Sequence, residues 1–272
     1  APKGYLKADE ETFKVAADGT ITSSARTQNG DTVLFENQQT IVDIAKVDIT
    51  TKKEVAGATI QIVEQTVTPA ENEEEDTVTE TVVREWVSTE EKYTIRGLET
   101  EKEYVLRETV APEGYTVASD TTFTLHEDGS ITTTAPVSDD GVLLIEDTLT
   151  SVSIAKIDAD TNTRLAGATL ELRDEDGNVI ETWVSTVGEK IFIGLRTDVE
   201  YSVVETMSPT GYMPTFTVTF HIEKDGSIAA NTTITEDGII CVPNSRVIVP
   251  TPESSYYVPV TSVPTPAPST PA

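Results

Sequence analysis

The segment IVDIAKVDITTKKEVAGATIQI at 41–62 returns as SVSIAKIDADTNTRLAGATLEL at 151–172, an offset of 110 residues. A chain that repeats itself at this distance must fold as an array of like units. EYVLRETVAPEGY at 103–115 returns as EYSVVETMSPTGY at 200–212, and DGSI at 128–131 returns at 225–228, both now offset by 97. The two offsets differ by 13, so the first copy carries an insertion, which TVTPAENEEEDTVTE at 66–80 supplies. Rich in acid and holding a proline, that insertion reads as a surface loop. A third, incomplete copy opens the chain: APKGY at 1–5 and DGTI at 18–21 answer to APEGY at 111–115 and DGSI at 128–131. The expected organisation is the C-terminal half of a truncated module at 1–40, complete modules at 41–149 and 150–248, and a Pro/Ser/Thr tail at 249–272. The tail cannot build a core and reads as an extended spacer. With no initiating Met and no signal peptide, the chain is expected to be cut from a longer one.

Thr and Val recur throughout, and no window has the 3.6-residue apolar period of a helix. TFTLHEDGSI at 122–131 and FTVTFHIEKDGSI at 216–228 read as hairpins turning at Asp-Gly. Short alternating strands in units of about 100 residues predict an all-β fold of tandem antiparallel β-sandwiches.

Composition removes several classes of function. A net charge of −28, from 47 acidic and 19 basic residues, would repel a phosphate backbone and an anionic bilayer, so neither nucleic acid nor membrane insertion is expected. Cys241 is the only cysteine and aligns with apolar Leu144 and Leu34, which makes it a small buried hydrophobe rather than a nucleophile. His126 and His221 are the only histidines, too few for a histidine metal site or a serine-hydrolase triad. DADTN at 158–162 alternates oxygen ligands, but it lacks the glycine and distal glutamate of a calcium loop, and the first copy has DITTK there. No metal and no cofactor are expected.

Strand parity exposes an anomaly. Val42, Ile44 and Lys46 share one face of their strand, as do Tyr104, Leu106 and Glu108, and Leu143, Ile145 and Asp147. The second copy repeats this with Lys156, Glu205 and Asn244, and Glu precedes the terminal Asp or Asn by 39 residues in both. Each complete module therefore aims an amine, a carboxyl and a terminal carboxyl or amide at its core, where an unpaired charge costs several kcal/mol. Any one of them could sit at a strand end, with the lysine reaching out to water. Recurring together, they suggest an intramolecular amide. Burial neutralises the amine and protonates the Glu; the amine attacks the side-chain carbonyl carbon, and the Glu shuttles protons to the leaving group. The module is then its own substrate and turns over once, so no enzyme acting on other molecules is expected.

At these residues the chain resembles the B-type repeat domains of Gram-positive collagen adhesins and the related SpaA-like, prealbumin-fold domains of pilins. The resemblance covers 1–248 and rests on IAKVD and IAKID, LRETVAPEGY and VVETMSPTGY, and the terminal FEN, IED and VPN. It implies Greek-key sandwiches, immunoglobulin-like or prealbumin-like, with an isopeptide between first and last strands. Lys46 would join Asp147 with Glu108 as proton shuttle, and Lys156 would join Asn244 with Glu205. Asn37 matches the acceptor position, but its lysine and glutamate would lie before residue 1. The resemblance further implies a stalk or spacer in a pilus or adhesin at the cell wall or surface, with neighbouring modules as partners and sortase anchoring outside this chain. The alternative is an adhesion module whose partner is a host surface protein or glycan, with the insertion at 66–80 as a binding loop.

Overall fold

The computed structural model describes residues 1–24, 27–28, 32–68 and 77–248. The opening segment holds β1 (Phe13–Val15), β2 (Ile21–Ser23), β3 (Thr27–Gln28) and β4 (Thr32–Val33), paired as two small ribbons. The next unit holds β5 (Ile41–Asp48), β6 (Thr59–Thr68), β7 (Thr77–Val87), β8 (Tyr93–Arg96), β9 (Glu103–Val110), β10 (Thr121–Leu125), β11 (Ile131–Thr133) and β12 (Leu143–Asp147). The last unit holds β13 (Ser151–Asp158), β14 (Thr169–Arg173), β15 (Val179–Val184), β16 (Lys190–Ile193), β17 (Glu200–Met207), β18 (Val218–Ile222), β19 (Ile228–Ala230) and β20 (Ile239–Asn244). No helix occurs among the described residues.

Both complete units have the same plan. A three-stranded sheet, β12-β5-β8 or β16-β13-β20, faces a five-stranded one, β11-β10-β9-β6-β7 or β15-β14-β17-β18-β19. The inner faces close on separate apolar cores, one built around Ile44, Ile60, Leu106 and Phe123, the other around Ile154, Leu170, Val203 and Phe220. A Tyr–Phe stack bridges neighbouring strands in each, Tyr104 with Phe123 and Tyr201 with Phe220, both at 5.4 Å between ring centres. Most pairings are antiparallel, but the first and last strands of each unit lie parallel, β5 on β12 and β13 on β20. Since the polypeptide enters along one and leaves along the other, its two ends depart from opposite ends of this strand pair.

The expectation of a surface loop at 66–80 needs correction. Residues 66–68 and 77–80 continue the β6–β7 hairpin, with Thr66 opposite Thr79, Val67 opposite Val78 and Thr68 opposite Thr77. Alternating Thr and Val favour a pleated ribbon and outweigh the flanking acid. The remainder of that insertion, 69–76, lies outside the described residues, as does the tail at 249–272.

The opening segment leaves its apolar residues uncovered. Phe13, Val15 and Phe35 are 58%, 61% and 62% exposed, whereas Phe123, Leu125 and Ile145, each 110 residues on, are at most 5% exposed. The same apolar pattern is present, and among the described residues no opposing sheet covers it.

Candidate crosslinking sites in the module cores

The parallel pairing of first and last strands sets the geometry. Lys46 lies opposite Ile145, so Asp147, two residues on, projects from the same face diagonally across from it. β9 brings Glu108 up from the facing sheet, where it sits opposite Ile60. All three side chains are 0% exposed. The Lys46 ammonium touches the Asp147 carboxyl directly and stands 3.5 Å from Glu108 Oε1. The second unit gathers its three residues in the same place, with Glu205 rather than a direct contact linking the lysine to the acceptor. Lys156 Nζ donates to Val242 O at 2.7 Å and stands 3.7 Å from Glu205 Oε1. The Asn244 amide donates to Glu205 Oε2 at 2.9 Å and to Met213 O. Glu205 thus bridges the amine and the amide. A backbone N–H orients each glutamate, from Ala118 at 2.6 Å and from Thr215 at 2.8 Å. Both donors follow the Pro-x-Gly-Tyr box, so this turn aims the carboxyl.

Burial controls the protonation of these groups. It raises Glu108 to about 8, against the opposing pull of Lys46, and it also raises Asp147. Burial lowers Lys156 to about 8, opposed by Glu205. Burial therefore favours the uncharged forms of Glu108 and Asp147 at the first site and of Lys156 at the second. Apart from their ion-pair contacts with the lysines, Glu108 Oε1 and Glu205 Oε1 accept no hydrogen bond, and neither do Asp147 Oδ2 and Asn244 Oδ1. Orphaned buried acceptors are rare in folded proteins, and such a group calls for an explanation. Asn37 belongs to the same pattern: its amide donates to Leu6 O at 2.9 Å, as Asn244 does to the equivalent Met213 O.

A second pair of buried acids escaped the sequence reading. Asp48 and Asp158 end the lysine strands, and their Oδ1 atoms accept N–H groups of the following turn, from Thr50 and Thr51 and from Asp160 and Thr161. The tyrosine of each Pro-x-Gly-Tyr box donates to the other oxygen, Tyr115 at 3.2 Å and Tyr212 at 2.8 Å. Asp158, the first oxygen ligand of the calcium-like DADTN, is thus engaged by its own turn, by Tyr212 and by Arg246 Nε at 2.8 Å. Recurrence of AKVD and AKID together with the box tyrosine was the signal that could have revealed this tie.

Arg246 and then Tyr212 hold Asp158 well below the usual carboxylate range. Its native-state pKa lies under the unfolded value, so the tie stabilises the fold above about pH 4 and the gain is lost as pH falls below that. Chemical unfolding at pH 6 and pH 2.5 should show this acid sensitivity. Arg246→Ala should flatten it for the last unit only; an unchanged pH slope would remove Asp158 as its source.

Residues 40–139 and 150–236 match the family model described as SpaA, prealbumin-like fold domain, and the chain belongs to that family. Among solved structures it is similar to the pilus adhesin SpaC of Lactobacillus rhamnosus GG in its open conformation, at 16% identity and a TM-score of 0.36, over 92% of this chain and 35% of that one. It is also similar to the shaft pilin SpaA of the same bacterium, at 15% identity and a TM-score of 0.30, over 78% of this chain and 99% of that one. A third similarity is to the Bacillus anthracis TIE protein, at 19% identity and a TM-score of 0.38, over 87% and 42%. The chain spans about a third of the length of the SpaC adhesin. No curated protein matches it. Among the described residues no helix is long and apolar enough to cross a membrane.

Proposed function

We propose that the two complete modules are tension-bearing stalk elements of a Gram-positive surface adhesin or pilus, each locked by an amide that it forms in its own core. The observation that carries this reading is the meeting of lysine, glutamate and a terminal Asp or Asn, all buried, in both cores. Glu108 takes a proton from the Lys46 ammonium, and the freed amine attacks Cγ of protonated Asp147. A C–N bond forms, the C–O bond breaks, the glutamate gives its proton to the departing oxygen, which leaves as water, and the carboxylate then takes the second proton that the nitrogen sheds on becoming an amide. At the second site the uncharged Lys156 amine attacks Cγ of Asn244, a new C–N bond forms, the bond to the amide nitrogen breaks, and Glu205 relays the proton lost by the Lys156 nitrogen to the departing nitrogen, which leaves as ammonia. Fixed proximity replaces external activation, and the dry core strengthens each electrostatic contact. Closure replaces an orphaned acid–base cluster by one amide, relieving much of the desolvation cost. Each module reacts once, so there is no outside substrate. Membership of the SpaA prealbumin-like family supports a place at the cell surface beside other modules of the same kind.

Intact mass tests the chemistry. The protein should be about 35 Da lighter than its sequence, about 18 Da from water at the first site and about 17 Da from ammonia at the second. Glu108→Ala should restore only the first loss and Glu205→Ala only the second, because the cores are separate. Folded protein at its full sequence mass would remove the mechanism and leave the fold untouched.

A further inference from the structure

The joints between modules are built from a repeating pair of contacts that are independent of the core chemistry. At the first joint Thr40, 0% exposed, receives Gly97 N–H on its carbonyl at 3.1 Å. Its own N–H donates to Gly4 O at 3.0 Å, and its hydroxyl donates to Leu98 O at 2.7 Å. At the second joint Thr150, 2% exposed, repeats all three: Gly194 N–H to its carbonyl at 2.9 Å, its N–H to Gly114 O at 2.9 Å, and its hydroxyl to Leu195 O at 2.5 Å. The box glycine of the upstream module presses its backbone on the downstream one. A Cβ on Gly4 or Gly114 would come within 2.8 Å of Gly97 O or Gly194 O, and both glycines have positive φ, +77° and +83°. A second contact lies off this point. Lys7 N–H donates to Glu127 O at 3.0 Å, and Val117 N–H donates to Lys224 O at 2.8 Å, in each case reaching the β-hairpin turn of the next module. Two separated contacts remove the swivel that one would leave.

The corresponding end of the last unit keeps the bond within its own module, Val247 N–H to Gly211 O at 2.9 Å, but lacks the hydroxyl and the second N–H that reach the next module. Val247 occupies the position of Thr40 and Thr150, and Pro214 that of Lys7 and Val117. Val247 has no hydroxyl, and Pro214 has no N–H to donate. Arg246, where Leu149 packs toward Gly194 at the second joint, instead turns back on Asp158 of its own module.

We propose that this face joins modules of its own kind into a rigid rod through a two-point clamp, and that the module at 150–248 is a rod terminus whose outgoing face cannot make the clamp. The partner that fits a competent face is a module presenting the Gly97 or Gly194 backbone and a Glu127- or Lys224-type hairpin turn. A module attached after residue 248 is then joined without a rigid contact.

Distances between spin labels at Glu91→Cys and Glu189→Cys, in a Cys241→Ala background, test the clamp. The unaltered joint should give one narrow distribution. Thr150→Val with Val117→Pro should roughly double its width, since free domain motion is the default once an interface is lost. Both substitutions copy residues that the last module already carries, and far-UV circular dichroism should stay unchanged. A second test joins another copy of 41–149 directly after Val247 and labels across the new joint. That distribution should be broad, and Val247→Thr with Pro214→Val should narrow it. A double variant as narrow as the unaltered joint would overturn the clamp, and a fused copy already narrow without restoration would overturn the terminus.

Discussion

Replacing Lys46→Met, Glu108→Met and Asp147→Leu together should lower the thermal midpoint of the module at 41–149 by about 20–35 °C, with the second module's transition unchanged. The amide would close a loop of about 100 residues, and a crosslink of that span is worth about 4.7 kcal/mol through the entropy it removes from the unfolded chain. Each kcal/mol moves the midpoint of a domain this size by about 4–8 °C. Single substitutions would mix this loss with another, because each leaves a buried partner uncompensated. The apolar triple variant strips out the whole polar cluster, so its loss reports the bond. Differential scanning calorimetry separates the two modules. A triple variant melting within a few degrees of the parent would show that the core cluster adds no crosslink to stability.

Single-molecule pulling should give the other large effect. The first and last strands are parallel, so tension applied at the two ends shears them past one another and loads all their hydrogen bonds together. With Lys46 bonded to Asp147, the force passes through the amide, and the intervening chain cannot extend. The parent should show no unfolding step from either complete module. Glu108→Ala should restore one step of roughly 330–360 Å before subtraction of the folded width, from about 100 residues at about 3.3–3.6 Å each. Glu205→Ala should restore a shorter one, because Lys156 and Asn244 are closer in sequence. Full-length steps in the unaltered protein would exclude a force-bearing bond, whatever its mass.

The parity argument reached the candidate site because it needs only local information. In a strand the side-chain period is two, so Lys46 must share a face with Ile44, and Glu108 with Leu106, whatever the strands later pair with. Two copies of the pattern removed chance as an explanation. Residues 66–68 and 77–80 differ for the converse reason: acid and proline nearby argue locally for a loop, while pairing within the hairpin carries these two strands past the core.

By itself the sequence determined the all-β patterning and the inward parity of the six side chains, since each follows from a period of two along one segment. Tertiary structure alone decided that first and last strands run parallel, which brings Lys46 diagonally onto Asp147 with Glu108 descending from the opposite sheet. It also decided that the box tyrosines fall on Asp48 and Asp158, and that Thr40 and Thr150 are buried between modules. Those facts depend on contacts between residues tens of positions apart. Such contacts form only when whole sheets pack, and no local period encodes them.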